Sequence, residues 1–210
     1  QLGADITLLT DNMQAVVGAQ EMSLSLNTSF KLLIEVDTGG RRGGVPPESS
    51  ELIEIGQNID SSPGLRLAGV LTHAGHSYHC KNLQEVTLVA ESERSGITMA
   101  AHRLRATGLP CDVVSAGSTP TAVSARNLDG ITEMRPGAYM FFDLDLVGIG
   151  VCKFEDIAIT VLATIIGHNK QAGRIVIDAG SLALSKDVSA NEFMDNIGHG
   201  LVCPIDSIDP

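Results

Sequence analysis

Apolar residues in this chain come in short runs that end abruptly in Gly, Ser, Thr, His or Arg. "KLLIEVDTGGRRGGV" (residues 31–45), "GLRLAGVLTHAGHSY" (64–78) and "DVVSAGSTPT" (112–121) share this form, and helix-compatible sequence follows each. A near-continuous apolar run suits a strand buried on both faces of a parallel sheet. A polar cluster at its carboxyl end is how parallel α/β proteins present a site. The same reading predicts strands over residues 4–11, 31–36, 65–71, 112–115 and 131–135. Between them lie a helix from Asn12 to about Met22 and one over "PPESSELIEIGQNIDSS". In the latter Ser49 or Ser50 is the cap, and Leu52, Ile53, Ile55 and Ile59 form the apolar stripe. A long amphipathic helix from Asn82 is stopped by Gly108 and Pro110, and a short one starts at Pro120.

From about Lys153 the texture changes. "IAITVLATIIG" and "GRIVIDAG" are β-rich runs separated by "HNKQA", which reads as a hairpin loop with no crossover helix. The fold class is therefore α/β: a partial (β/α) TIM-type barrel followed by part of a β domain. A closed eight-stranded barrel takes about 200 to 250 residues. The barrel-like part is assigned to residues 1–148 and the β part to 149–210, with the missing strands expected before Gln1.

Composition narrows the function classes. The 210 residues are 43% hydrophobic but only 3% aromatic, with no Trp, so the core is aliphatic. A net charge of −11, with 14 Lys plus Arg and no basic run, excludes a nucleic-acid partner. No apolar stretch reaches the ~18 residues of a membrane span, and no signal-like segment opens the chain. Cys80, Cys111, Cys152 and Cys203 form no CxxC pair, which reads as reduced thiols in a cytoplasmic protein. The chain starts without Met and ends without a clear terminal element, so both ends read as cut.

Four segments carry candidate chemistry. Ser115–Thr121 packs hydroxyls and backbone N–H groups between a strand end and a helix start, suited to an anion such as phosphate or, more simply, to a helix cap. "MRPGAY" offers Arg135, Gly137 and Tyr139, and is also an ordinary turn. "EVDTGGRRGGV" places Asp37, Thr38, Arg41 and Arg42 among four glycines, as a ligand cradle or a solvated loop. His73, His76, His79 and Cys80 are zinc ligands by type, although their spacing is not the helical i, i+4 pair. A histidine stacked on a planar cofactor explains the same residues.

Taken in order, "EVDTGGRRGGV", "GLRLAGVLTHAGHSY", "VVSAGSTPT", "EMRPGAYMFFD" and "VIDAGSLALSKD" resemble the D-serine dehydratase and D-threonine aldolase-like enzymes. These belong to the alanine-racemase-type, fold-type III group that uses pyridoxal phosphate. The resemblance implies a cofactor barrel followed by a β domain. It implies a phosphate cradle from Ser115, Gly117, Ser118 and Thr119 with Tyr139, and Gly137 in the same neighbourhood. His73 and Tyr78 would lie beside the ring or substrate as the catalytic pair. Arg42 would approach the ring's phenolic oxygen, and Arg135 lies near the strand end that faces the ring nitrogen.

Two family features fall outside the sequence. The lysine that anchors the cofactor precedes Gln1, and none of Lys31, Lys81, Lys153, Lys170 and Lys186 replaces it. The metal pair, for zinc or manganese, follows Pro210. The implied activity is a metal-assisted lyase on β-hydroxy-D-amino acids, D-serine dehydratase-like. An aldolase, a non-catalytic pyridoxal-phosphate-binding protein and a zinc hydrolase are the other readings. The implied partners are a small-molecule β-hydroxy-D-amino acid and, by the same resemblance, a second subunit in a homodimer, with no nucleic acid and no membrane.

Overall fold

Five short strands alternate with helices through the first two thirds of the chain. A computed structural model describes residues 4–40, 42–180, 182–183, 185, 187–195 and 197–204. The elements are β1 (Thr7–Thr10), α1 (Met13–Leu26), β2 (Phe30–Glu35), α2 (Ser50–Ser61), β3 (Leu65–Leu71), α3 (Leu83–Ala106), β4 (Val113–Ala116), α4 (Thr119–Ser124) and β5 (Glu133–Met134). All neighbouring strands pair in parallel, and their order in the sheet is their order in the chain. Advancing one neighbour at a time through helical crossovers is the connectivity of a (β/α) barrel, as the sequence predicts.

Local chemistry explains the element ends. The Asn12 side chain caps α1 by accepting the Ala15 N–H at 2.9 Å, and Asn27 closes the helix in the left-handed region. Ser49, one of the two expected caps, accepts the Glu51 N–H at the start of α2. Leu52, Ile55 and Ile59 of the expected stripe are fully buried, with Ile53 partly so. They pack with Leu32 and Ile34 of β2, Leu67 and Val70 of β3, Val114 of β4, and Ile97 and Leu104 of α3. Each such side chain contributes roughly 1.5–3 kcal/mol on burial. Leu32, Leu33 and Ile34 are buried in succession, so β2 is covered on both faces.

Some bounds differ from the prediction. Helix α1 runs on to Leu26, and β5 has two residues instead of five. One turn of sheet geometry depends on a glycine. The β2–β3 register passes from Leu32↔Leu67 to Leu33↔Gly69, leaving Ala68 as a bulge. Gly69 has φ +151°, and a Cβ there would run into the Val113 carbonyl.

The contacts divide the chain into two units. The first runs to Cys80 and from Gln84 to Gly137; the second takes Lys81–Leu83 and the residues from Ala138. The second contains α5 (Leu144–Ile149), which the sequence reading did not predict. Asp143 caps it by accepting the Leu146 N–H at 2.9 Å, and Gly150 ends it in the left-handed region. The hairpin β6 (Ile165–Asn169) and β7 (Arg174–Ile177) is antiparallel as expected. Its first strand is shorter than the apolar run, because residues 157–164 join no ladder. His168 and Asn169 belong to β6 rather than to the loop, and Asn169 Oδ1 pins the turn by accepting the Ala172 N–H at 3.0 Å. Among the described residues no helix is long and apolar enough to cross a membrane, and all four cysteines are free thiols.

Gly69→Ala is expected to destabilise the first unit by about 2 kcal/mol or more, since an L side chain is strained at that φ and meets backbone. Urea denaturation of the variant against the parent measures it.

Candidate functional site

The carboxyl ends of β3, β4 and β5 stand in line. Beyond the last ladder pair, Leu71↔Ser115, the Thr72 N–H donates to the Ser115 carbonyl at 2.9 Å, and the Arg135 N–H donates to that of Ala116 at 2.9 Å. The sequence-predicted residues His73, Ser115, Gly117, Ser118 and Arg135 are brought together here. His73, half-buried, has its Nδ1 3.3 Å from the Gly117 carbonyl oxygen. A carbonyl only accepts, so Nδ1 is the donor in this contact.

After His73 the chain turns through a short 3-10 helix, Gly75–His79, which carries Tyr78 half-buried. Ser77 in this turn is buried, its hydroxyl 2.9 Å from that of Ser118. His76 Nδ1 is buried without a hydrogen-bond partner and packs near Gly40, where a Cβ would come within 3.1 Å of it. His79 is exposed. Among the described residues no group of three or more His, Cys, Asp or Glu could hold a metal ion, so these histidines do not assemble a zinc site.

The segment after β4 is densely bonded. The fully buried Ser115 hydroxyl donates to Glu133 Oε1 at 2.5 Å and accepts from Arg135 Nε at 2.7 Å. Gly117 has φ +105°, and a Cβ there would meet Met134 Cε at 2.9 Å. Ser118 forms a capping box with Thr121: its hydroxyl accepts the Thr121 N–H, and Thr121 Oγ1 accepts the Ser118 N–H. The cap reading of this motif is therefore realised, and the Ser118 amide and hydroxyl are already engaged. Thr119, at the start of α4, is fully buried.

Arg135 closes the cluster from β5. Besides Ser115, its guanidinium donates through Nη2 to the Thr72 carbonyl, and it lies 4.0 Å from Glu133. Burial pulls its pKa below the ordinary range, against the opposing influence of Glu133, Glu93 and Glu35. A guanidinium remains charged throughout. Thr38 Oγ1, 2.9 Å from Thr72 Oγ1, ties in the loop after β2. That loop folds back through a Val36↔Val45 bridge. Asp11 anchors it by accepting the Gly44 N–H at 3.2 Å, its carboxyl held below the usual range by the Asn12 side chain and that amide.

Arg42 is exposed on the β2 loop, and Arg41 lies outside the described residues. Gly137 ends the first unit, while Tyr139 belongs to the second, half-exposed in a short 3-10 helix. Lys31 sits near the amino end of β2, paired with Asp5 at 2.6 Å. Lys153 is exposed beside Glu155, Lys170 is exposed in the β6–β7 turn, and Lys81 pairs with Glu192 in the second unit. Lys186 lies outside the described residues.

Sequence reasoning missed Glu93. It is 2% exposed on α3, and its Oε1 accepts both the Ala74 N–H at 2.9 Å and the Gly117 N–H at 3.1 Å. Its signal was available. Val86, Ala90, Ile97, Ala100 and Leu104 are the buried stripe of α3, and Glu93 falls on that stripe at helical spacing. A carboxylate on an apolar face must find donors.

A parallel β/α sheet with a charged, hydroxyl-rich cluster at its carboxyl ends matches part of a (β/α) barrel and puts that cluster at the end where such barrels carry their sites. The chain belongs to the alanine racemase N-terminal domain family, whose model matches residues 1–145; a putative serine dehydratase domain matches residues 158–207. It is 44% identical to the D-threo-3-hydroxyaspartate dehydratase of Delftia sp. over 97% of this chain and 53% of that protein. The solved structure of that enzyme superposes with a TM-score of 0.90, covering 97% of this chain and 54% of the other. A D-serine dehydratase of Dictyostelium discoideum is 29% identical, over 90% of this chain and 51% of that protein. An alanine-racemase-like protein from Idiomarina loihiensis, 35% identical, gives a TM-score of 0.91 over 97% of this chain and 54% of its own. The chain thus spans about half the length of the curated relatives it matches. The family and fold class read from the motifs are borne out.

Gly117→Ala is expected to cost about 1–3 kcal/mol of stability, the range for a non-glycine residue forced into such a conformation. Thermal unfolding of the variant checks it.

Proposed function

We propose that the protein is a pyridoxal-phosphate-dependent lyase on β-hydroxy-D-amino acids and that its reaction is dehydration. The 44% identity to a hydroxyaspartate dehydratase along 97% of this chain carries the reading. The strand-end cluster supports it. Arg135 presents a fixed positive charge, and His73 presents an imidazole whose Nε2 has no partner among the described residues. Gly117, with no side chain, leaves its loop narrow where a Cβ would strike Met134. A flat, anionic ring compound fits that donor set.

When bound, the cofactor supplies an electron sink for negative charge at the substrate's α carbon. The chain's own residues orient and protonate. Arg135, locked by Ser115 and the Thr72 carbonyl, faces anionic charge at the strand ends. His73 Nε2 accepts or returns a proton at the reacting substrate, with Nδ1 held by the Gly117 carbonyl. In this reading Ser115, Gly117, Ser118 and Thr119, with Tyr139, hold the phosphate. Gly117 and Ser118 act through the shape of the loop, because their amides are engaged by Glu93 and Thr121. Tyr78 lines the substrate side, and Arg42 closes over the ring from the β2 loop. A divalent metal belongs to the same activity. A solved structure of a D-threo-3-hydroxyaspartate dehydratase variant is a metal-free form, which supports that part. The proposal also includes a homodimer and a cytoplasmic setting, the latter in keeping with four free thiols.

Between substrates, higher identity to the hydroxyaspartate enzyme than to the D-serine enzyme favours a β-hydroxy-D-amino acid with a second carboxylate. Supplied with pyridoxal phosphate and a divalent metal, a form of the protein that includes the anchoring lysine and the metal pair should convert D-threo-3-hydroxyaspartate to oxaloacetate and ammonia. It should act more slowly on D-serine, giving pyruvate. Glycine as the product would contradict dehydration and point to carbon–carbon cleavage. His73→Ala should lower kcat by about a hundredfold or more, the usual worth of a positioned acid–base group.

A further inference from the structure

The β3–β4 ladder ends at Leu71 and Ser115, yet the loops beyond it remain tied to each other. Three contacts do this. Glu93 Oε1 accepts from Ala74 at 2.9 Å and from Gly117 at 3.1 Å; His73 Nδ1 lies 3.3 Å from the Gly117 carbonyl; and the Ser77 and Ser118 hydroxyls are 2.9 Å apart. The first two form a closed circuit. Glu93 holds the amide of Gly117, the carbonyl of Gly117 holds the ring of His73, and the residue after His73 returns its amide to Glu93.

Glu93 differs from its two loop partners in its support. It stands on α3, a helix of 24 residues, whereas Ala74 and Gly117 lie outside helix and strand. The carboxylate is 2% exposed. Burying an ionised carboxylate costs several kcal/mol unless donors and an opposite charge meet it. Two amides meet it here, and Arg135 supplies the positive charge in the same cluster. A buried acid bound to two loops that carry the site is more than packing, since a Leu would fill the helix stripe at lower cost.

We propose that Glu93 is the positioning residue of the site: one carboxylate oxygen fixes Ala74 and Gly117 at once, and Gly117 in turn fixes the ring and tautomer of His73. This rests on the reading above only for the identity of the ligand; the circuit itself is made of this chain's own groups. Glu93 touches neither substrate nor cofactor and acts through His73 and the β4 loop. Taking the Gly117 amide away from the ligand is part of that role.

The test uses Glu93→Asp and Glu93→Gln in the full chain. Asp shortens the reach by one methylene, so it cannot span both amides; Gln keeps a carbonyl oxygen at the same place. Nitrogen-15 NMR of the histidine rings, without any cofactor, reads the His73 tautomer, and amide hydrogen exchange reads Ala74 and Gly117. Equilibrium dialysis reads pyridoxal phosphate affinity. Glu93→Asp should move the His73 ring signals from a single Nδ1–H form toward a mixture and lose protection at both amides. It should also weaken pyridoxal phosphate about tenfold, the scale of one lost charge-assisted hydrogen bond. Glu93→Gln should keep the tautomer and bind within about threefold, because the same acceptor geometry survives. A lower Tm for Glu93→Asp with unchanged His73 signals and affinity would reduce Glu93 to a packing residue and overturn the proposal. So would a Gln variant as damaged as the Asp one. If the parent protein does not bind pyridoxal phosphate, the ligand reading fails, while the cofactor-free ring signals still decide the role of Glu93.

Discussion

Backbone pairing between β3 and β4 stops at Thr72 and Ser115, and the chemistry begins one residue later. A parallel sheet can fix the direction in which its strands leave, but not the path of the loops beyond. Those loops need acceptors for their amides and donors for their carbonyls, and water supplies both equally well unless protein groups are placed first. The buried Glu93 carboxylate supplies one such acceptor to two loops at once. Arg135 supplies the complementary donors, reaching across β4 to the Thr72 carbonyl of β3. Between them, they tie the ends of three strands to one another. Preorganisation of this kind removes an ordering cost from binding and from reaction.

Much of the first unit could be read from the chain because its physics is local. Strand β3 was legible residue for residue, since Pro63-Gly64 starts it and the polar cluster at Thr72 stops it. The cap at Ser49, one of two candidates, follows from a side-chain oxygen ahead of an apolar stripe. Helix α5 escaped notice because six residues give no periodicity to count, and its order comes from burying Leu146 and Ile149. Strand β6 was misjudged for the opposite reason. Ile159, Val161 and Leu162 have high strand propensity but remain exposed, and propensity without a paired neighbour does not make a ladder.

The site was legible in part. The polar residues at strand ends announced themselves by interrupting apolar runs, so His73, Ser115 and Arg135 could be named from the chain alone. Glu93 could not be named that way, because an acid in a helix with Glu91 and Arg94 beside it reads as solvated surface. Glu91 and Arg94 do pair outside, at 2.6 Å; only the phase of the stripe separates Glu93 from them. The role of Ser118 was also ambiguous by nature, since a helix cap and an anion cradle need the same hydroxyl. Arg42 lies on an exposed loop and Tyr139 belongs to the second unit, and their part in the site rests on the family resemblance.

The most direct measurement is a crystal structure of the protein grown with pyridoxal phosphate. The expected result is the ring against His73 at the carboxyl ends of β3–β5, with the phosphate at the β4 loop. The Glu93, Gly117 and His73 contacts should persist around it. A ring bound elsewhere, or a His73 imidazole turned away from the Gly117 carbonyl when the cofactor is present, would contradict it.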